Sequence, residues 1–280
     1  MSAPDLLAGF EERFAEGRGA RIRYFTGGEG SPLLLVHGYG GAAWNFCELA
    51  PLLAARHRVV LPDLPGHGAS APLPAAPGLA AYAEALVTLC HKDGWAERVD
   101  VVGHSLGGLV ALRLAARRPE LVRRLVLAAA AGISTATRVS EAFLTFAALV
   151  QPARRIGRWA DVVARRPTLK RAVFTSFTVS DPEALTERAV RGFLRGPRLH
   201  SDVLSAARAL ARDDPRADLH RVTAPALVLW GARDEQVPIA DGFEYARRLR
   251  APLRTIADCG HLLIAERADA CADAIETFLS

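Results

Sequence analysis

The stretch "VVGHSLGGLV", residues 101–110, decides how the rest of the chain is read. Its Gly-x-Ser-x-Gly core fixes only three letters, and the neighbours give it meaning. The run before it, "VDVVG", is apolar and short, as a buried strand requires. The run after it, "LGGLVALRLAARR", has helical composition and ends at Pro119. A serine set between a strand and a helix is a nucleophile elbow: the sharp turn strains the serine backbone and exposes its hydroxyl. Strand and helix then come close together, which requires small residues, and Gly103, Gly107 and Gly108 supply them. The elbow also aims the first helical N–H groups at any oxyanion formed on a substrate. Ser105 is therefore the candidate nucleophile.

Working outward, short apolar runs alternate with helical patterns. "RIRYF" (21–25), "PLLLVHG" (32–38), "HRVVLPDL" (57–64), "RVDVVGH" (98–104), "RRLVLAAAA" (123–131), "APALVLWG" (224–231) and "PLRTIAD" read as strands. "AWNFCELAPLLA", "LAAYAEALVTLCHKDG", "ADGFEYARRLR" and a last segment from about Leu262 to Phe278 read as helices. Uniformly apolar strands separated by helices predict an α/β fold: a mostly parallel central sheet covered by helices on both faces. Residues 134–218 interrupt this rhythm. They hold no convincing strand, and Pro152, Pro167, Pro182, Pro197 and Pro215 are placed to start or stop short helices. "DPEALTERAVRGFLRG" has acids first and Arg and Gly last, as a helix prefers. The expected organisation is a core of residues 1–133 and 219–280, with 134–218 inserted as an all-helical cap.

A serine hydroxyl needs a base, and the base needs a carboxylate to orient it. His261 follows the last strand in "IADCGHLLIAE", at the carboxyl edge of the sheet, where open α/β folds place their sites. His104 adjoins the serine, but successive side chains diverge there, so it is read as structural. His37 and His67 lie in Gly-rich loops and read as architectural, and His57, His91, His200 and His220 have no supporting context. "ARDEQVP" after the strand at 224–231 offers Asp234 and, as runner-up, Glu235. The chain order Ser105, Asp234, His261 is that of α/β-hydrolase triads. Backbone N–H groups of Leu106, after the serine, and Tyr39, in the loop "HGYGG", are the expected oxyanion donors.

Taken together, "HGYGG", "DLPGHGAS", "GHSLGG", "GARDEQVP" and "GHLLIAE" resemble, in content and order, the α/β-hydrolase superfamily, in particular its branch with a helical cap. The resemblance runs from about Arg21 to the C-terminus. It implies a Ser-His-Asp serine hydrolase that cleaves carboxylic esters through an acyl-enzyme, with no cofactor and no metal. Epoxide hydrolases and haloalkane dehalogenases of that superfamily carry aspartate at the elbow, where this chain has Ser105. The carbon–carbon hydrolases of aromatic degradation commonly have Asn before the serine and Trp after the histidine, where this chain has His104 and Leu262. They remain an alternative, as do lactonases and perhydrolases, and more remotely a non-catalytic ligand receptor on the same scaffold.

Bulk composition agrees. Of 280 residues, 50% are hydrophobic and 23% charged, enough to bury one large core. The N-terminus "MSAPDLLAGFEERFAEG" lacks the basic start of a signal peptide, and no apolar run has the length of a membrane span, so a cytoplasmic protein without stable membrane insertion is expected. Cys47, Cys90, Cys259 and Cys271 show no metal-ligand spacing and read as reduced, mostly buried thiols. The net charge of +5 is concentrated in residues 134–218, where 15 Lys or Arg face nine Asp or Glu. That excess suits a solvated helical surface first, then an anionic substrate, then an acidic membrane surface or partner. No motif for nucleic acid accompanies it. Phe143, Phe146, Trp159, Phe174, Phe177 and Phe193 promise an apolar pocket for a small-molecule ester. Oligomeric state is not legible.

Overall fold

The computed structural model describes residues 6–17, 19–74, 77–92, 95, 98–134, 149, 150 and 152–280. Eight strands form one sheet: β1 (Glu11–Gly17), β2 (Ala20–Gly27), β3 (Ser31–Val36), β4 (His57–Pro62), β5 (Val99–His104), β6 (Val122–Ala128), β7 (Ala226–Gly231) and β8 (Leu253–Ile256). Their order is β1-β2-β4-β3-β5-β6-β7-β8. The pairs β1/β2 and β2/β4 are antiparallel, and every other pair is parallel. The expected α/β architecture is therefore present. Strand β1 is an addition to the sequence reading. "EERFAEG" is charged along most of its length, and only Ala15 and Gly17 are buried, because an edge strand needs no apolar faces and is protected from further pairing by its charges.

The central strands are apolar throughout because both faces are covered. Every residue of β5 and β7 is buried. Helices α1 (Leu49–Leu53), α2 (Leu79–Lys92), α3 (Leu106–Arg117), α9 (Ile239–Leu249), α10 (Leu263–Glu266) and α11 (Ala268–Leu279) accompany the sheet. α1 packs on α11, and α2 on α3. Two helical readings are revised. "AWNFCELAPLLA" splits into a 3-10 turn, Ala43–Phe46, and α1, and the C-terminal segment breaks at Arg267 into α10 and α11.

Between β6 and β7 the described residues hold helices and no strand. α4 (Pro152–Ile156), α5 (Ala160–Arg165), α6 (Pro167–Val173), α7 (Glu187–Arg195) and α8 (Leu204–Arg212) are joined by 3-10 turns. Prolines begin α4, α6 and the turns Pro182–Ala184 and Pro215–Ala217, and Pro197 sits in the first turn of Gly196–Leu199. The one helix expected over "DPEALTERAVRGFLRG" is two pieces. Asp181 caps the first, accepting from Glu183 N–H, and Thr186 caps α7, accepting from Ala189 N–H. A competing cap in mid-segment restarts the helix.

What positions the site is the junction of β5 and α3. Ser105 N–H donates to Ala128 O at 3.0 Å, which carries the β5/β6 ladder one residue past the strand. Helix α3 starts immediately afterwards, and its second residue is Gly107. A Cβ there would lie 2.1 Å from Val36 O and 2.5 Å from His37 O, so only glycine lets α3 cross this close to the end of β3.

Candidate active site

Ser105 carries φ 54° and ψ −120°, a conformation that costs a non-glycine residue roughly 1–3 kcal/mol. The surroundings hold it there. Its carbonyl accepts from Gly108 N–H at 2.9 Å and Ala131 N–H at 3.2 Å, while its N–H is held by β6. The side chain is 6% exposed and lines a cavity of about 400 Å³. Leu106 N–H, beside it, belongs to the first turn of α3, where no carbonyl lies one turn behind.

The loop after β3 lies against the serine. A Cβ on Gly38 would come within 3.1 Å of Ser105 Cβ, so glycine permits the close approach that brings Tyr39 and Gly40 into the cavity wall. The loop is anchored from behind. Leu64 N–H donates to His37 Nε2 at 2.9 Å, which leaves the proton on Nδ1 to donate to Gly38 O at 2.8 Å. On the far side, His200 Nε2 donates to Gly40 O at 2.9 Å and its Nδ1 accepts from Gly68 N–H at 2.9 Å. His200, which the sequence left without a role, thus ties the inserted helices to the loop that carries Tyr39. Asp63, fully buried, accepts from Arg23 Nε at 2.6 Å, Ala43 N–H at 2.8 Å and Ala69 N–H at 2.9 Å, and it fixes the base of the same loop.

His261 and Asp234 meet as the spacing predicts. His261 Nδ1 donates to Asp234 Oδ2 at 2.8 Å, and both side chains are enclosed. The other carboxylate oxygen, Oδ1, accepts from Gln236 N–H at 2.9 Å and Val237 N–H at 2.8 Å, so the turn after β7 fixes the carboxylate before the histidine arrives. His261 lines the same cavity as Ser105. Glu235, the runner-up, is exposed and accepts from Ser176 Oγ at 3.1 Å, away from the histidine. His104 lines the same cavity; its Nε2 donates to the backbone carbonyl of His261 at 2.8 Å, and the two rings lie 5.0 Å apart.

Glu266, five residues after His261, was not singled out in the sequence. Its buried carboxylate accepts from Gly260 N–H at 2.8 Å, Asp181 N–H at 2.7 Å and Ser180 N–H at 3.2 Å. It clips the His261 loop to the inserted segment, and Leu262 N–H adds a bond to Thr178 O at 3.0 Å. Asn45 was missed as well. It lines the cavity, its Oδ1 accepts from Ala42 N–H, and its buried Nδ2 has no hydrogen-bond partner among the described residues. Ile156, Val173, Phe174, Phe193, Leu194 and Leu262 make the wall largely apolar. Of the aromatics expected there, Phe174 and Phe193 reach the cavity, Trp159 and Phe177 are exposed, and Phe143 and Phe146 lie outside the described residues.

Four histidines around this site are held neutral. Burial pushes the pKa of His37 down to about 4 and that of His104 to about 3, and it lowers those of His67 and His200. The unfolded chain, with ordinary histidines near pH 6.5, therefore binds protons before the native one as pH falls. Stability is full above about pH 6.5 and declines below it, down through the native values, by roughly 1.4 kcal/mol per pH unit for each histidine involved. The urea midpoint is expected to fall sharply between about pH 7.5 and pH 5.5. Equal midpoints at the two values would show that these rings are not buried neutral.

The remaining polar chemistry is limited. Among the described residues no group of His, Cys, Asp and Glu is arranged to hold a metal, and no helix is long and apolar enough to cross a membrane. All four cysteines are free and buried.

Comparison with known proteins agrees with this fold. A family model described as alpha/beta hydrolase fold matches residues 31–268. The chain belongs to that family. As an alpha/beta hydrolase it is 34% identical over 276 residues to a dihydrolipoyllysine-residue acetyltransferase component of the acetoin cleaving system from Pseudomonas putida, covering 95% of this chain and 68% of that one. It is 34% identical to a pimeloyl-[acyl-carrier protein] methyl ester esterase from Aromatoleum aromaticum, covering 87% of this chain and 96% of the relative. It is 30% identical to a 2-hydroxymuconate semialdehyde hydrolase from a Pseudomonas species, covering 94% and 91%. Bromoperoxidase from Bacillus anthracis superposes with a TM-score of 0.80 over 96% of this chain and 99% of that one, at 18% identity, a likeness of fold.

Proposed function

We propose that this alpha/beta hydrolase is a serine carboxylesterase acting on small to medium apolar esters, with Ser105, His261 and Asp234 as its triad and residues 134–218 as a cap over the site. The observation that carries the reading is His261, bonded at 2.8 Å to the enclosed Asp234, in the wall of the cavity that the strained Ser105 also lines. In this reading Ser105 Oγ attacks the acyl carbon while His261 Nε2 takes its proton. Tyr39 and Leu106 N–H groups hold the oxyanion. Collapse of the tetrahedral adduct breaks the ester bond, and His261 returns the proton to the leaving alcohol. Water then enters by the same route, its proton going to His261, and releases the acid and free Ser105. Asp234 keeps the Nδ1–H tautomer and stabilises the imidazolium.

The ester chemistry is supported by the name of the Aromatoleum relative and by the cavity itself. Its described lining contains no Lys or Arg, so it suits an uncharged acyl group. Carbon–carbon bond hydrolysis is the second reading, favoured by the similarity to the semialdehyde hydrolase. Substrates of that class carry a carboxylate, for which Asn45, Thr178 and Gln236 are among the polar groups of the wall. A panel of p-nitrophenyl esters graded by acyl length, run beside a dienone acid, separates the two. The expected result is highest kcat/KM on short to medium acyl groups, with the dienone turned over at least about a hundredfold more slowly. A dienone preference of several orders would replace the ester reading, and best activity on long-chain emulsions would remove the size limit set by the cap.

A further inference from the structure

On the other side of the wall from the catalytic cavity lies a second cavity of about 470 Å³, whose lining includes Trp44, Arg158, Asp161, Arg195, Arg198 and Leu199. The wall is the end of α7 and the turn that follows it. Leu194 and Pro197 face the catalytic cavity, and Arg195 and Arg198, one residue on in each case, face the second. We propose that this second cavity is a binding site for a phosphate-bearing ligand, held by Arg158, Arg195 and Arg198 beside the indole of Trp44. The proposal makes no use of Ser105 or its chemistry and stands apart from the esterase reading.

Charge is the first argument. Three guanidinium groups share the cavity with one carboxylate, and that carboxylate is already engaged. Asp161 accepts from Arg191 Nε at 2.8 Å and from Arg195 at 2.9 and 2.8 Å, bonds that hold it below the ordinary carboxylate range. Arg158 has only a backbone acceptor, Arg155 O at 3.2 Å, and Arg158 and Arg198 have no ion-pair partner among the described residues. Gathering like charges around a concave surface is unfavourable unless an anion joins them.

Trp44 lines the same cavity. Trp44 is 5% exposed, and its Nε1–H has no hydrogen-bond partner among the described residues. Closed to solvent, that N–H is a reporter beside the site and not a contact to the ligand. The ring itself is fixed from another side, with the Arg23 guanidinium 4.7 Å from its centroid. Geometry supplies the second argument. A Cβ on Gly157 would stand 2.3 Å from Leu194 O and 2.8 Å from Arg198 Cγ, so glycine there admits both the α7 backbone and the Arg198 stem at close range. Several guanidinium forks around one centre suit a phosphate, which offers three oxygens and close to two charges, better than a single carboxylate. A cavity of this volume leaves room for an organic group beside the phosphate, against Leu199 and the indole.

A free phosphate monoester and a lipid headgroup share this chemistry, and Leu199, which lines the cavity, is exposed. The test follows the indole N–H resonances of 15N-labelled protein during titration with inorganic phosphate and with glycerol 3-phosphate. Trp44→Phe, which keeps the ring and removes the N–H, assigns the signal. A saturable shift of the Trp44 resonance is expected, absent with sodium chloride at the same ionic strength and weakened about tenfold or more in Arg158→Gln/Arg198→Gln. Should that double variant fail to fold, Arg198→Gln alone is read the same way. A parallel sedimentation with phosphatidylglycerol and phosphatidylcholine vesicles separates the sources. Selective retention by the anionic vesicles, lost in the arginine variant, assigns the site to a headgroup, and its absence alongside saturable phosphate binding assigns it to a soluble ligand. No saturable shift together with equal sedimentation on the two lipids overturns the proposal. So does binding that the arginine substitutions leave unchanged.

Discussion

Ser105→Ala is expected to lower ester turnover by about 10⁴-fold or more while leaving the protein folded. The substitution removes one oxygen and no backbone contact. The N–H and C=O of residue 105 keep their bonds to Ala128, Gly108 and Ala131. The left-handed backbone is no new obstacle either. Ala129, at the end of the neighbouring strand, already sits at φ 46°, so this part of the chain holds an alanine in that region. Stability should therefore change by no more than about 1 kcal/mol. Residual rate would come from oxyanion donors and substrate positioning, which survive without the nucleophile. Initial rates on a p-nitrophenyl ester, read beside thermal melts of both proteins, check the result. A folded Ser105→Ala protein that retained more than about a tenth of the parent rate would take Ser105 out of the chemistry.

Residues whose place is set by local grammar were legible in advance. The elbow, the loop at 37–41 and the two late strand ends each have a fixed place relative to a strand, and the parallel sheet brings all those carboxyl ends to one edge. The pair at Asp234 and His261 follows from that alone, and the structure brings them to hydrogen-bonding distance. Residues whose role is set by tertiary contact were not legible. His200 lies in the inserted segment and acts on Gly40, 160 positions away. Glu266 looks like one more helical acid until Ser180 and Asp181 are seen donating to it. Strand β1 was missed for a related reason: its pairing is decided by the hairpin with β2, in register from Glu11 opposite Thr26 to Gly17 opposite Ala20, and not by apolar pattern. The +5 net charge also changed meaning in three dimensions. Much of the basic excess is spent on pairs such as Arg188 with Glu48 and Arg191 with Glu187, and three of its arginines, Arg158, Arg195 and Arg198, line one cavity.

Asp234→Asn is expected to cost about 10⁴-fold in kcat with little loss of stability, and the geometry says why. Oδ1 of Asp234 accepts from two backbone N–H groups, those of Gln236 and Val237. An asparagine keeps those bonds only by placing its own oxygen there. Its NH₂ must then occupy the Oδ2 position, 2.8 Å from His261 Nδ1. Two donors cannot face each other, so the imidazole gives up the Nδ1 proton, accepts from the amide and carries its proton on Nε2 instead. In that tautomer Nε2 has no lone pair to receive a proton from Ser105, and the base is lost although every atom remains in place. A 10⁴-fold loss corresponds to about 5.5 kcal/mol of transition-state stabilisation. Glu235→Gln is the control. Among the described residues that exposed carboxylate accepts from Ser176 Oγ, and its replacement should leave kcat within about twofold. The comparison is made on the same ester with melting curves for both variants. A loss in Glu235→Gln that matched or exceeded that in Asp234→Asn would reassign the orienting carboxylate. Parent-like rates in a folded Asp234→Asn protein would mean that His261 needs no partner to present Nε2.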